Sequence, residues 1–170
     1  HPGEFQTHVQ KHFFQLLLCY IELENQLTAI RQTDLKRIIA YTSIAHMNLV
    51  ILGLFSYNAS GIEGAIFQSI SHGFVSSALF LIIGILYDRY HTRALKYFSG
   101  LNHCMPIFVC FFLMFTLANI ALPGTTSFIG EFLLLIGIAK INLLGTLLAG
   151  TGMILGSAYS LWLFNRISYG

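Results

Sequence analysis

Leu122-Pro123-Gly124-Thr125-Thr126-Ser127-Phe128-Ile129-Gly130-Glu131-Phe132-Leu133-Leu134-Leu135-Ile136 sets a helix-breaking pair and a single carboxylate inside an otherwise apolar run. An ionisable group at bilayer depth costs at least ~2.5–3.5 kcal/mol on insertion scales, so such residues generally face a bundle interior and mark ion or proton paths. Pro123 and Gly124 free backbone polar groups that hydrocarbon cannot satisfy, so the break is expected to line protein or a water-filled cavity. The apolar character extends outward from Met105 to Ala139. As one continuous helix this stretch would be about 52 Å long, too long for a core of about 30 Å unless it is broken or folded back. The part after the break, Phe128–Ala139, reaches only about 18 Å and cannot cross alone. The pattern predicts one discontinuous membrane helix, interrupted at Leu122–Ser127, over a re-entrant arrangement.

Hydrophobic residues make up 55% of the 170-residue chain and charged residues 9%, with a mean hydropathy of +0.70. Such a composition excludes an ordinary soluble domain and predicts an all-α integral membrane protein surrounded by lipid bilayer. The net charge of +2 carries no signal as a total, and no nucleic-acid partner is expected. Cys19, Cys104 and Cys110 lack metal-ligand or redox spacing and read as small core residues.

Runs of about 20 apolar residues, long enough to span, occur at Ile38–Tyr57, Ala65–Tyr87 and Leu143–Phe164. The earlier run Phe13–Ile21 is too short alone and is followed by Glu22 and Glu24. Extension to Ile30 makes a crossing, at the cost of bringing both carboxylates into the membrane or its interface. Residues His1–Gln10 are polar, lack an initiator Met and resemble neither a secretory signal nor an Arg-rich transit peptide, so the chain is expected to begin at a processing site or to belong to something larger. With the broken segment counted as one crossing, Arg31, Lys36, Arg37, Arg89, Arg93, Lys96 and Arg166 fall on one side, and Lys11 and Lys140 on the other. The positive-inside rule makes the first side cytoplasmic or matrix. Counting two crossings merely exchanges Lys140 with Arg166.

Two further ionisable residues lie at depth. His46 follows Arg37 by about 14 Å of helical rise, with Thr42 one turn before it on the same face and Ser43 beside it. In the next span Gln68, His72 and Ser76 recur every fourth residue, a polar stripe that should point away from lipid. Imidazole titrates near pH 6.5 and both donates and accepts, so a chain of His, Ser, Thr, Gln, Glu and trapped water can pass protons by exchange of hydrogen bonds. Ser69, Ser71 and Ser77 are better read as packing contacts between helices. His46, His72 and Glu131 together point to transport. A rival reading would make His46 and His72 the axial ligands of one haem, although it leaves the broken helix without a role.

Leu27-Thr28-Ala29-Ile30-Arg31-Gln32-Thr33-Asp34-Leu35-Lys36-Arg37 through Tyr41-Thr42-Ser43-Ile44-Ala45-His46-Met47-Asn48, Ser71-His72-Gly73, Tyr87-Asp88-Arg89 with His91-Thr92-Arg93, and Leu122-Pro123-Gly124 through Gly130-Glu131-Phe132 together resemble the NADH dehydrogenase subunit 4 family, the antiporter-like, proton-pumping membrane subunits of respiratory complex I. The similarity runs from about Leu27 to Gly170, is nearest to mitochondrial forms, and implies residence in the mitochondrial inner membrane. It implies a five-transmembrane-helix antiporter-type repeat with one discontinuous helix, the second of two inverted repeats. The family's two membrane histidines and its broken-helix glutamate fall on His46, His72 and Glu131, as a proton relay, with Thr42, Ser43, Gln68, Ser76, Pro123 and Gly124 in support. It implies no cofactor in this chain; NADH, FMN, iron–sulfur clusters and ubiquinone would belong to other subunits of the enzyme.

Two departures from the family shape the remaining expectations. Residues 1–26 form a divergent segment, a degenerate helix at most, before an antiporter-like domain over 27–170. The first repeat is missing, so a split subunit is expected, with a separate polypeptide supplying that repeat beside the other membrane-arm subunits. Gly152, Gly156 and Ser160 form a small-residue face suited either to that assembly or to ordinary helix packing. Asn58-Ala59-Ser60 forms a sequon on the less basic side, which in a mitochondrial protein stays unmodified. The alternatives are a piece of a multisubunit cation/proton antiporter and a non-pumping structural element of the membrane arm.

Overall fold

The structure is a computed structural model that describes residues 2–170, with side chains from Val9 onward. The described residues form α1 (Pro2–Ile30), α2 (Leu35–Leu54), α3 (Ala59–Tyr90), a 3-10 turn at Leu95–Tyr97, α4 (Leu101–Cys104), α5 (Pro106–Asn119), α6 (Thr126–Ala139) and α7 (Leu143–Ser168). Helices α2, α3 and α7 are long and apolar enough to cross a membrane. Helix α1 begins well before Phe13 and passes residues 26 and 27 without interruption. Pro2 sits where a missing N–H does no harm, and the Glu, Gln and Lys residues after it are good helix formers.

Elsewhere the helices depart from the apolar runs at their ends, where backbone conformation rather than hydropathy decides. Helix α2 stops at Leu54 instead of Tyr57, because the chain turns through Tyr57 with a left-handed φ of 53°. Helix α3 starts at Ala59 and runs to Tyr90, where His91 terminates it, also at φ 53°.

The predicted interruption lies between α5 and α6, each 14 residues and about 21 Å long. The link is wound into turns: the amide of Leu122 donates to Leu117 O at 3.2 Å, and Thr125 N–H and hydroxyl both donate to Leu122 O. Ala121 (φ 61°) and Gly124 (φ 102°) take the left-handed conformations that this path requires. Pro123 and Gly124 face outward rather than lining an interior cavity; Asn119 and Ile120 line the interior instead.

The connecting segments gather at two opposite ends. At one, the α1–α2 link meets the segment after α3, with the Leu95 amide donating to Thr33 O and the Leu35 amide to Arg93 O. The end of α7 joins them, since Gly170 lies against Ser99. At the other, Lys140 Nζ donates to Ser60 Oγ at 3.2 Å and Lys11 lies over the Tyr57 ring at 4.8 Å. The α5–α6 pair starts beside Arg89, whose guanidinium reaches Met105 Sδ, and finishes at Lys140, so it runs from the first end to the second.

Two apolar clusters fill the interior. One, toward the basic end, gathers Ile38, Leu79, Ile82, Leu86, Phe112 and Phe164; the other gathers Cys19, Leu49, Ala65, Leu134, Ile138 and Ala149. Cys104 and Cys110 are exposed, against the expectation of core cysteines; only Cys19 is buried.

Candidate functional site

Along α1, α2, α3 and α7 the two apolar clusters leave a gap that polar or small residues occupy, and α6, which enters only the second cluster, carries such residues just before it. On α1 these are Glu22 and Gln26, on α2 Thr42 and His46, on α3 Gln68 and His72, on α6 Ser127 and Glu131, and on α7 Gly152 and Gly156. A polar layer therefore crosses the bundle at mid-depth, sealed by hydrocarbon side chains above and below. Polar groups at this level are kept from bulk water by the clusters, so they depend on one another for hydrogen bonds.

Helices α3 and α6 set its geometry by approaching almost backbone to backbone. A Cβ on Gly137 would lie 2.6 Å from Gly61 Cα, and one on Gly130 2.8 Å from the Gln68 amide nitrogen. This contact brings Gln68 Nε2 to 3.3 Å from Glu131 Oε1, and Ser71 Oγ to 2.6 Å from Ser127 Oγ. From α2, His46 Nδ1 reaches the same Glu131 Oε1 at 3.2 Å. His46 and His72 face each other with ring centroids 5.2 Å apart, and Ser43 Oγ lies 2.8 Å from His72 Nε2. The result is a row, Ser43–His72–His46–Glu131–Gln68, contributed by three helices and joined by hydrogen-bond contacts except between His72 and His46, whose rings meet without one.

The row includes His46, His72 and Glu131 and the neighbours Ser43 and Gln68. Thr42 is buried and donates to Ile39 O on its own helix while bordering the cleft beside His46. Ser76 stays outside: it is half-buried and its hydroxyl is 3.5 Å from Gly73 O, because α3 carries it into the level of the basic-end cluster. Ser69 and Ser77 are exposed and bond only to their own helix, whereas Ser71 bonds across to α6. The near contact of the two imidazoles leaves no slot for a macrocycle between them, which removes the haem reading. Among the described residues, no three His, Cys, Asp or Glu side chains converge as a metal-ligand set.

Glu131 also borders space on two sides. An inner cleft of about 20 Å³ is lined by Glu22, Gln26, Thr42, His46, Glu131 and Ser157, among others. An outer cleft of about 240 Å³ runs past Phe128, Glu131, Phe132 and Ser157. Glu22 and Gln26 were absent from the sequence-derived site. The signal that would have found them is the spacing Gln15, Cys19, Glu22, Gln26, which puts all four on one helical face; all four are buried.

Residues 5–157 match the family described as NADH:quinone oxidoreductase/Mrp antiporter, TM. The chain is 62% identical over 144 residues to NADH-ubiquinone oxidoreductase chain 4 of Marchantia polymorpha, covering 85% of this chain and 29% of that protein. It is 56% identical over 158 residues to the protein of the same name from Arabidopsis thaliana, covering 93% of this chain and 32% of that one. Its structure superimposes on a chain of respiratory complex I from Thermus thermophilus with bound NADH at a TM-score of 0.89 and 30% identity, covering 95% of this chain and 35% of that one. The chain thus spans about a third of the length of the relatives it matches.

Proposed function

The chain belongs to the NADH:quinone oxidoreductase/Mrp antiporter transmembrane family, and from that premise we propose that it is part of the proton-translocating membrane arm of a respiratory NADH:ubiquinone oxidoreductase. The observation that carries this reading is the row from Ser43 to Gln68, buried at His72, Glu131 and Gln68, half-buried at Ser43 and His46, and held at mid-depth between two apolar clusters. In it a proton arriving at His72 passes to His46 through the narrow space between the rings. Protonated His46 pairs with the Glu131 carboxylate and passes it the Nδ1 proton, leaving neutral imidazole and a neutral acid, and the Glu131 acid then releases the proton toward the outer cleft. Gln68 supplies a neutral donor to the carboxylate while His46 has none to give. The His46–Glu131 step joins groups already in hydrogen-bond range and the His72–His46 step joins rings whose centroids are 5.2 Å apart, which is the arrangement that supports a relay.

The architecture fits this role as a five-crossing repeat made of α1, α2, α3, the α5–α6 pair and α7, with the α5–α6 link as the interruption of one discontinuous crossing. Residues 27–170 would form the antiporter-like body and 1–26 a divergent first helix, in the mitochondrial inner membrane. NADH, FMN, iron–sulfur clusters and ubiquinone would be held by other subunits, and this chain's own residues would only hold and move protons. The partners are other membrane-arm subunits and the region of the relatives beyond the matched stretch, carried on this polypeptide or a separate one.

The experiment is Glu131→Gln in the assembled membrane complex, with protons translocated per electron measured during NADH oxidation. The expected result is a lower ratio. An unchanged ratio overturns the relay and leaves a structural element of the membrane arm. The family description also covers cation/proton antiporters; flavin and iron–sulfur absorbance in the purified complex distinguishes the enzyme from a multisubunit antiporter.

A further inference from the structure

We infer that Glu22 of α1 is a second proton-holding carboxyl of the mid-depth layer, exchanging protons with the His46–Glu131 pair through water in the inner cleft. The inference rests on the relay proposed above and extends it to a helix outside the row. Glu22 is 3% exposed and its Oε2 has no hydrogen-bond partner, although an ionised carboxylate has about four lone-pair sites to satisfy. Gln26, one turn on, is equally buried and its Oε1 is also unpartnered. Both side chains border the same cleft as His46 and Glu131. Two polar groups left unsatisfied at this depth cost several kcal/mol if nothing enters. The cleft has room for about one water, and the three ionisable groups and the amides of Gln26 and Asn119 on its walls offer it the two to four partners it requires.

Helix α7 is shaped around these two side chains. The Glu22 carboxyl lies where a Cβ on Gly152 would come within 2.8 Å of its Oε1, and the Gln26 amide lies where a Cβ on Gly156 would come within 2.8 Å of its Nε2. The small-residue face of α7 thus forms two notches that seat the polar ends of α1 side chains. Ordinary close packing of α1 on α7 would place apolar side chains there.

The titratable groups that border the cleft with Glu22 are His46 from α2 and Glu131 from α6; α7 presents only Gly156, Met153 and Ser157 to it, and on α1 itself Cys19 turns to donate to Gly145 O. Two carboxyls on one small cavity disfavour simultaneous ionisation, so a proton on one favours ionisation of the other. The exchange is balanced without a further reactant. Once Glu131 has taken the Nδ1 proton of His46, its acid passes the proton through water to the Glu22 carboxylate, giving an ionised Glu131 and a neutral Glu22 acid. Glu22 would hold the proton apart from His46, and so hinder its return to His72.

Glu22→Gln and Glu22→Asp are compared with Glu131→Gln in the assembled complex, by protons per electron during NADH oxidation and by the infrared carboxylic-acid signal that changes with turnover. Glu22→Gln is expected to lower proton yield, to retain NADH oxidation and to remove one carboxylic-acid band, with Glu22→Asp restoring part of the yield. Gly152→Ala, which keeps the acid and displaces it, is expected to lower yield as well, and it serves if Glu22→Gln fails to assemble. A normal yield in both Glu22→Gln and Gly152→Ala, beside a loss in Glu131→Gln, overturns the role of Glu22 and leaves the relay standing. A normal yield in Glu131→Gln overturns both.

Discussion

At the scale of single residues, the decisive atom is Glu131 Oε1, which receives both His46 Nδ1 and Gln68 Nε2. The two donors differ in kind: one changes charge as it gives its proton away, and the other cannot. Gln68→Met keeps the length of the side chain and removes the constant donor, leaving the carboxylate dependent on His46 alone. Loss of one partner from a buried polar group costs about 1–3 kcal/mol. The variant complex should therefore unfold at lower temperature in a thermal scan and show reduced proton yield at unchanged NADH oxidation. Ser43→Ala tests the opposite end of the row. Its hydroxyl fixes His72 Nε2 at 2.8 Å, and a single bond of this type between membrane helices is worth about 0.6 kcal/mol. Its loss should leave assembly intact and slow proton uptake, with Ser43→Thr restoring the rate. His46, His72 and Glu131 were legible in the sequence because an ionisable side chain inside an apolar run is too costly in lipid to face outward, and so must turn toward polar neighbours. Glu22 was not, because a carboxylate at the end of a short apolar run reads as a boundary rather than a member of a buried face.

At the scale of elements, the α3–α6 contact determines whether the row exists at all. Gly130→Ala would set a Cβ 2.8 Å from the Gln68 amide nitrogen and 2.9 Å from its Cα, atoms of a helix backbone that cannot step aside. Forcing such a contact costs about 1–3 kcal/mol and moves the helices apart, which lengthens the Gln68–Glu131 bond. Thermal stability and proton yield should fall together. Gly150→Ala on α7 is the control: nothing lies within 4 Å of its added Cβ, and replacing a mid-helix glycine favours the helix by about 1 kcal/mol, so stability should hold or rise. Hydropathy was enough to find α2, α3 and α7 and to place a break between α5 and α6. It missed the helix ends at Tyr57 and His91, where left-handed backbone rather than polarity ends the helix. It also passed over Gly61, Gly130 and Gly137, since glycines give no contrast against an apolar background and their partners lie in a distant segment. The small face it did single out, Gly152 and Gly156, proves to seat α1 side chains.

At the scale of the whole molecule, charge and geometry divide the chain the same way. Arg31, Arg93 and Arg166 belong to the end where the α1–α2 link pairs with the segment after α3, and Lys11 and Lys140 to the end marked by Tyr57 and Ser60. Charge alone could not say whether the α5–α6 pair crosses once or twice, because the two counts differ only by exchanging Lys140 and Arg166. Lys140 contacts Ser60 and Gly170 contacts Ser99, which is what the proposed single crossing requires, since a pair that turned back would leave Lys140 at the Arg31 end. The distinction matters for the relay: with one crossing, α6 passes through the polar layer and carries Glu131 to mid-depth, and the row gains access toward the Lys140 end. Single cysteines at Arg31, Lys140 and Arg166, probed in sealed membranes with a charged, impermeant maleimide, give a direct reading. Arg31→Cys and Arg166→Cys should react from one side and Lys140→Cys from the other. Reaction of Lys140→Cys on the same side as Arg31→Cys would mean that the α5–α6 pair returns, and Glu131 would then lie on a hairpin open to one compartment, with no route across for the proton it holds.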